Sequence, residues 1–513
     1  MKKLAVTAVI IAGVAFSHAD AFAQYKTKNA PQEASKSGSE LILEEAASSE
    51  APVIITLEQA LQIALSENVS VKVADMEIQR AQYAKKGSYA ALFPQIDATG
   101  AYQRTIKKQV MYMDFDMSSI MGGAGGEGTE LPDGVELPDG VELPDGVEIP
   151  ETGTDAPAGS DNGGGLEVGR WNTWSAGVSA AMPLVNAQLW KSLKISGLDV
   201  ELAVEKARSS RLEMVTQVKN AYFATLLAKE AFEVYKQVYE NAVQNLEETE
   251  KKYRAQKVSD VELLRAKTTV ANAIPNVYNA EGSVILSLWQ LKAVLGVDLD
   301  MNLDVAGKLE DWSEHMFYDI HQHDSISLDR NTTMKQLAIQ AEMLAETIKV
   351  QQYANIPSLA VAFNFSYNAM TNDFNFSEYR WTPYSYVGLS LNIPIFAGGK
   401  RYHAIRQAKN QYQQVQLQTV NTERQLKIAI RQSLNAMETN MKSYYASKDA
   451  LAAAQKGYDI VAKSYQVGRS TLIEVNDAQL ALTQAQLGAS QAVYNFLTAK
   501  AQLEQTLGQD FVE

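Results

Sequence analysis

Two hydrophobic patterns alternate along the chain. In 358–367 every second residue is apolar and the residues between are small or polar, and the same period of two recurs in 173–182 and 386–393. This period is typical of strands with one apolar face and one polar face. A further strand is expected after Pro94, because proline ends the helical pattern before it. The sequence therefore predicts four strands, in two pairs.

After each strand pair, the apolar residues recur every three to four positions over unusually long runs. Segments 185–253 and 397–465 each cover 69 residues without proline, which corresponds to helices of roughly 100 Å with coiled-coil spacing. Shorter return helices of 35 residues are expected at 261–295 and 473–507, with a kink at Pro275. Helices at 56–93 and 331–356 would stack end to end on these return helices and so complete two rods.

The two halves of the chain follow one plan. Eight residues between Tyr253 and Asp298 match residues 212 positions later, from Tyr465 to Asp510. Upstream, 176–187 resembles 387–398, and 92–96 resembles 355–359. Three matches in the same order indicate an internal duplication.

The strands cannot stand alone, because an open sheet leaves unpaired backbone groups along its edges. The smallest single-chain membrane barrels have eight strands, so four strands imply a barrel that several chains share. Aromatic residues lie toward the strand ends, where the two faces of a membrane are expected. A soluble sheet edge is the alternative interpretation.

Composition narrows the possible functions. The net charge of −14 argues against nucleic-acid binding, and the absence of cysteine excludes disulfides and thiolate chemistry. Lys2 and Lys3, an apolar run and the Ala21–Ala23 site have the form of a signal peptide over 1–23. Residues 24–52 lack periodicity and are expected to form a flexible leader.

An acidic insertion lengthens the first strand connection. Residues 121–170 contain 12 acidic residues and one basic residue, together with a repeated Leu-Pro-Asp-Gly motif. A solvated extracellular loop over 111–168 is one interpretation, and weak divalent-cation binding or surface shielding is the other.

The order of these elements resembles the TolC-like outer-membrane efflux family. The residues that carry the resemblance are "ITLEQALQIALSEN" (55–68), "ALFPQIDATGAY" (91–102), "SLNIPIFAGGKR" (390–401), "YQVGRSTLIEVNDAQLAL" (465–482) and the terminal "LGQDF". The resemblance implies a mainly α-helical homotrimer, with one shared 12-stranded outer-membrane β-barrel continuous with a coiled-coil α-helical barrel. It also implies a small mixed equatorial domain, a periplasmic adaptor (membrane fusion) protein, an inner-membrane pump of the RND or ABC type, and contact with outer-membrane lipid.

These expectations divide the chain into segments. The first repeat has helices at 53–93, a β-hairpin at 94–183, and a long helix, tip and return helix at 184–298. An equatorial segment follows at 299–330. The second repeat has a helix at 331–356, a β-hairpin at 357–394, and a long helix, tip and return helix at 395–508, before the tail at 509–513.

The resemblance also assigns roles at the two helical turns, or tips. Glu474, Asp477 and Glu262 are implied to form a gate that constricts the pore. The docking of the adaptor is assigned to the residues of both turns: Lys257, Val258, Ser259, Gly468, Arg469, Ser470 and Thr471. Residues three apart share a helix face, so three copies of each acid would ring one pore and attract cations. A solvated helix face is the alternative for these acids.

Two departures from the family affect the tips. Gln256 stands where the family often has glycine. Arg469 lies one position earlier than the family's arginine, so the family's gate-locking salt bridges are not transferred here. How the gate is held shut is left open by the sequence.

Other functions receive little support. No catalytic constellation and no cofactor motif is present, and His315, His321 and His323 form the only histidine cluster that could ligate a metal. An exported coiled-coil structural or adhesive protein without a pore is the alternative from another class, but it leaves the four strands unexplained. The predicted function is an outer-membrane exit duct for small molecules in a Gram-negative envelope.

Overall fold

The computed structural model describes residues 52–112, 165–316 and 327–510. The signal and leader segments, most of the acidic insertion, His321 and His323 lie outside the described residues. Two compact units are present, a helical unit (Met1–Ala90, Ala187–Ile356 and Pro394–Glu513) and a strand unit (Ala91–Asn186 and Pro357–Ile393). In chain order the helices and strands are β1 (Val53–Ile55), α1 (Leu57–Glu67), α2 (Val69–Ala90), β2 (Gln95–Arg104), β3 (Gln109–Tyr112), β4 (Gly165–Val168), β5 (Asn172–Val185), α3 (Ala187–Arg254), α4 (Asp260–Leu295), β6 (Leu303–Val305), α5 (Thr332–Tyr353), β7 (Ser358–Thr371), β8 (Thr382–Asn392), α6 (Lys400–Gln466) and α7 (Leu472–Leu507).

Two very long helices organise the helical unit. Helices α3 and α6 have 68 and 67 residues, and the return helices α4 and α7 have 36 residues each. Helix α3 packs against α1, α2, α4, α5 and α7, whereas α6 packs against α5 and α7. Pro275 lies inside α4, which continues through it. Among the described residues, no helix is both long and apolar enough to cross a membrane.

The prediction of one continuous helix over 56–93 is wrong. Residues 53–55 form a strand, the first helix ends at Glu67, and the second begins at Val69 and ends at Ala90. The break is at Asn68, which has an extended backbone (φ −63°, ψ 130°). Its side-chain oxygen accepts from the Ser70 N–H at 2.7 Å, and its amide donates to the Val294 carbonyl at 2.7 Å. These side-chain bonds replace the helical ones and stop the helix there.

The shorter helices α2 and α5 meet the return helices α4 and α7 end to end at two junctions. At the first junction, a Cβ on Gly296, after the end of α4, would lie 2.9 Å from the Cα of Asn68. At the second, Asn331 donates to the Thr506 carbonyl at 2.7 Å, and a Cβ on Gly508 would overlap the Arg330 carbonyl oxygen. Both glycines have positive φ, 79° and 69°. Each glycine therefore permits both a left-handed helix end and the close approach of the next helix.

The main core of the helical unit surrounds the first junction. Its fully buried side chains include Ile55, Leu61, Tyr222, Leu295 and Phe496. The parallel pair formed by β1 and β6 lies in this core and was not predicted from the sequence. The buried Tyr222 hydroxyl donates to the Ala306 carbonyl at 2.7 Å, just after β6.

The strand unit contains a four-stranded antiparallel sheet in the order β2-β5-β7-β8. Its register aligns apolar positions across all four strands, for example Ala98 with Val178, Val178 with Phe365, and Phe363 with Val387. Asp97, Ser179 and Asn364 align in the same way on the other face. The predicted period of two therefore produces one continuous apolar face. Val387 and Leu389 on that face are 72% and 70% exposed.

Candidate functional site

The two helical turns are built alike. In the turn after α3, Gln256 has φ +58°, and its N–H donates to the Tyr253 carbonyl while the Lys257 N–H donates to the Lys252 carbonyl. In the turn after α6, Gly468 has φ +77°, and the same two bonds join Gly468 to Tyr465 and Arg469 to Ser464. This left-handed closure satisfies the last carbonyls of a helix. Gln256 thus adopts the conformation that Gly468 adopts.

The return helices begin at hydroxyl caps. Ser259 accepts from the Glu262 N–H at 3.4 Å, and Thr471 accepts from the Glu474 N–H at 3.3 Å. The Glu474 carboxylate also accepts from the Thr471 N–H at 2.9 Å, which completes a capping box. Glu474 therefore stabilises the start of α7, a role that the sequence analysis did not assign to it.

The predicted gate residues fall into two environments. Glu474 and Asp477 lie three residues apart near the start of α7, and both side chains are exposed. Glu262 is half-buried, and its charge acts on Lys252 and Tyr465, which belong to α3 and α6. The acid at the equivalent place in the first turn therefore has different neighbours from Glu474.

The predicted docking residues are mostly accessible. Lys257, Ser259, Gly468, Arg469 and Thr471 are exposed. Val258 and Ser470 are half-buried. Beside them, an open groove of about 430 Å³ lies between α4 and α7, lined by Val261, Leu264, Arg265, Thr268, Thr269, Asn272, Ile473 and Asn476.

A contact that the sequence analysis missed joins the two hairpins, α3–α4 and α6–α7. The ammonium of Lys252 on α3 bonds to the backbone carbonyl of Tyr465, at the end of α6, and lies 3.5 Å from the centroid of the Tyr465 ring. The Tyr465 hydroxyl is 2.6 Å from the hydroxyl of Thr249. We call Lys252, Thr249 and Tyr465 the tip clasp.

Burial sets the electrostatics of the tip clasp. The Tyr465 side chain is only 2% exposed, and burial raises the pKa of its hydroxyl. Burial lowers the pKa of the Lys252 ammonium, whereas the nearby Glu262 carboxylate raises it. A cation held against a helix C-terminus and an aromatic face is favourable, because both present negative charge.

The tip clasp is asymmetric between the two turns. Tyr253, 212 residues before Tyr465, is 39% exposed. The residues 212 positions after Lys252 and Thr249 are Ser464 and Val461. Comparing the two copies position by position would have singled out Lys252 and Thr249 as departures from the shared plan.

Beneath the tips lies a small hydrophobic cluster that is separate from the main core. Its buried members are Ala266, Tyr465, Leu472 and Val475, and Leu246, Tyr458 and Val461 pack against them. We call this the tip cluster. It combines residues of both hairpins and therefore supports the tip clasp.

The described residues contain no group of three or more histidine, cysteine or acidic side chains that could hold a metal ion. His321 and His323 lie outside the described residues, and the side chain of His315 is not described either. The suggested histidine metal site therefore stays a hypothesis.

Comparison with known proteins identifies the family. The family described as "Outer membrane efflux protein" matches residues 149–297 and 325–509. The chain is 22% identical to the outer membrane protein TolC of Vibrio cholerae, over 65% of this chain and 76% of that protein. It is 20% identical to the proteases secretion protein PrtF of Dickeya chrysanthemi, over 66% of this chain and 73% of that protein.

The fold is shared with solved channels. The crystal structure of the CmeC outer membrane channel of Campylobacter jejuni matches with a TM-score of 0.63 and 16% identity, over 93% of each chain. The relatives are thus an outer membrane protein, a proteases secretion protein and an outer membrane channel, and the alternative of an adhesive coiled-coil protein is not favoured. The chain therefore belongs to the outer membrane efflux protein family, and it is a TolC-like outer-membrane protein that extends into the periplasm and serves as an exit duct for efflux or secretion.

Proposed function

We propose that three copies of the chain form one duct, with a shared barrel of twelve strands. The observation that carries this proposal is the four-stranded sheet. Within the described residues, β2 and β8 each pair on one side only, and the aligned apolar face is exposed. Three such sheets joined edge to edge satisfy the unpaired backbone groups, and their apolar faces then contact lipid.

The helical unit continues this duct as a tunnel wall with two rods per repeat. The offset of 212 that relates the two tips also relates Val294 to Thr506 and Gly296 to Gly508 at the helix junctions. The same asparagine-to-carbonyl bond occurs at both junctions. This agreement supports an internal two-fold repeat, because unrelated segments would not share both the spacing and the bond.

Glu474 and Asp477 form the gate, with Glu262 as a third acidic position. Three copies of each acid around one axis make negative rings, which attract cations. The tip clasp holds the two hairpins of each chain together and so favours the closed arrangement.

A periplasmic adaptor docks on the exposed turn residues and delivers substrate from an inner-membrane pump. Lys257 and Arg469 occupy equivalent positions in the two turns and are both exposed, so each chain offers two similar basic contacts. The cargo is a small molecule or, as the name of PrtF indicates for that relative, a secreted protein.

Planar-bilayer recording of the detergent-extracted protein tests the proposal. Glu474→Gln with Asp477→Asn removes the charges, while glutamine at position 474 keeps the capping box. The double variant should conduct more and lose cation preference. Lys442→Gln with Glu438→Gln, an ion pair on α6, is a control for double substitution away from the turns. Unchanged conductance and selectivity would reject the gate, and a monomer without channels would reject the duct.

A further inference from the structure

The charge of the helical unit is concentrated where the chain passes to and from the strand unit. Four segments flank these passages: 83–93, 187–194, 342–356 and 394–409. Together they contain nine lysine and arginine residues and two acids, whereas the whole chain has 46 basic and 60 acidic residues. We call these four segments the basic collar.

Both acids of the basic collar are already neutralised. Glu346 has a side chain only 3% exposed and binds Lys191 at 3.1 Å, Lys194 at 3.0 Å and Lys349 at 2.9 Å. Glu342 pairs with Lys194 at 3.0 Å. In the described part of the chain, no carboxylate lies in ion-pair range of Lys86, Lys400, Arg406 or Lys409. All four of these residues are exposed in the single chain, so their charges are not neutralised within it.

The four segments gather at one end of the helical unit. Ser88 bonds to Ser196 at 3.0 Å, which joins the end of α2 to the start of α3. The Lys191 and Glu346 pair joins the start of α3 to the last part of α5. Lys335 near the start of α5 lines a groove with Glu423 and Lys427, well inside α6. Ser358, just after α5, pairs with Asn392, just before α6. Together these two contacts place the end of α5 beside the start of α6.

Exposed aromatic side chains are interleaved with these cations. Tyr83, Trp190 and Tyr402 are 69%, 51% and 56% exposed. The Lys86 ammonium lies 5.4 Å from the Tyr83 ring centroid, and the Arg406 guanidinium lies 5.0 Å from that of Tyr402. Exposed aromatics beside lysine and arginine are typical of the interface between a membrane and water.

Chain connectivity limits how far the helix ends of the basic collar can lie from the strands that follow or precede them. Each of its helix ends is within eight residues of a strand of the sheet, at most about 28 Å along the chain. If the sheet spans the outer membrane, as the proposed function requires, these helix ends are tethered within that distance of the membrane.

We propose that the basic collar binds the anionic headgroups of phospholipids in the periplasmic leaflet. Lys86, Lys400, Arg406 and Lys409 provide the charge, and the aromatic rings lie among the headgroups. This inference rests on the proposed membrane-spanning barrel and adds a lipid preference to it. Clustered cations at a membrane surface select anionic over zwitterionic lipid.

Native mass spectrometry of the detergent-extracted protein tests the preference. The protein is mixed with equal amounts of phosphatidylglycerol and phosphatidylethanolamine, and the bound ratio is measured. Wild type should bind about ten times more phosphatidylglycerol than phosphatidylethanolamine, since each nearby cation adds to the attraction for the anionic lipid. The variant Lys86→Gln, Lys400→Gln, Arg406→Gln and Lys409→Gln should bring the ratio close to one.

A matched control removes the same number of charges elsewhere on α6, through Lys427→Gln, Lys442→Gln, Lys448→Gln and Lys456→Gln. These side chains are exposed and farther along the helix. The control should keep the wild-type ratio. Equal binding of both lipids by wild type would overturn the inference, as would an equal loss in the control.

Two further measurements separate the possible failures. If the collar variant does not fold, wild type alone still provides a test. Its preference for phosphatidylglycerol should fall as the salt concentration is raised, because salt screens the attraction to the headgroups. A preference that is insensitive to salt would contradict headgroup binding. A protein that conducts in planar bilayers without any lipid preference would reject only the collar, whereas absence of conductance would reject the duct.

Discussion

Lys252 and Tyr465 belong to different helical hairpins, and the ammonium of Lys252 lies 3.5 Å from the centroid of the Tyr465 ring. The same ammonium bonds to the Tyr465 carbonyl, so one side chain holds both the ring and the end of α6. No other cation lies over an aromatic ring in this way between the two hairpins in the described part of the chain. The sequence does not show how the gate is held shut. This contact is a candidate for the interaction that holds it.

Lys252→Met should favour the open gate. The change removes a cation–π contact and a charged hydrogen bond, together about 1–3 kcal/mol. If these act only in the closed arrangement, channel opening should increase about tenfold, measured in planar bilayers. Lys251→Met is the control, because Lys251 is largely exposed and pairs with Glu248 on its own helix. Indistinguishable openings for both variants and wild type would contradict a role for the tip clasp.

Glu346 should make the helical unit sensitive to acid. Burial alone would raise the pKa of Glu346, but hydrogen bonds from Lys349, Lys194 and Lys191 outweigh it and lower the pKa to about 2. A carboxyl with a lowered pKa stabilises the fold above its unfolded value of 4.5 and loses this contribution as pH falls toward the folded value. The contribution at neutral pH is up to about 3 kcal/mol.

Thermal unfolding of Glu346→Gln measures this effect. The variant should unfold at a lower temperature than wild type at pH 7, and the difference should shrink between about pH 4.5 and pH 2. Glu342→Gln is the control, because Glu342 is half exposed and pairs with one lysine only; it should show little change. A difference for Glu346→Gln that does not depend on pH would show that the ion cluster does not stabilise the fold.

Gln256→Gly should stabilise the first turn. Gln256 has φ +58°, a conformation that costs a residue with a Cβ about 1 kcal/mol and that glycine adopts freely. The reverse change, Gly468→Gln, should destabilise the second turn by a similar amount, since a Cβ there meets open space and only the backbone conformation is affected. Thermal unfolding that gives both changes the same sign would reject the equivalence of the two turns.

Gly508→Ala should destabilise far more than Gly468→Ala. Both glycines have positive φ, but only the Cβ at position 508 would overlap the Arg330 carbonyl oxygen. The added methyl forces α5 and α7 apart at their junction, at a cost of several kcal/mol, more than the roughly 1 kcal/mol of the conformation alone. Equal unfolding temperatures for the two variants would indicate that the end-to-end junction is loose.

Periodicity predicted the elements that repeat a pattern over many residues. The long helices end within three residues of the expected positions, and the alternation in β7 and β8 predicted which residues share a face. The break at Asn68 was missed because it depends on a bond to Val294, 226 residues away. Three-residue strands such as β1 and β6 are too short for a period to be detected.

The candidate site was only partly predictable, for a similar reason. Spacing put Glu474 and Asp477 on one helix turn, but for Lys252 the sequence offers only a difference between the two copies, Ser464 standing 212 positions later, and no sign of its partner. Its partner is on another hairpin, and only the folded chain brings the two together. The capping role of Glu474 is the exception, because Thr471 and Glu474 form a capping-box motif that can be read directly from the sequence.

The separation of the tip cluster from the main core has a mechanical consequence. The tip cluster contains four buried hydrophobic residues, whereas the main core around the first junction contains many more. Opening the tips therefore resembles local fraying, whose free energy is far below that of global unfolding. If the tips form the gate, as proposed, they can separate while the main core stays packed.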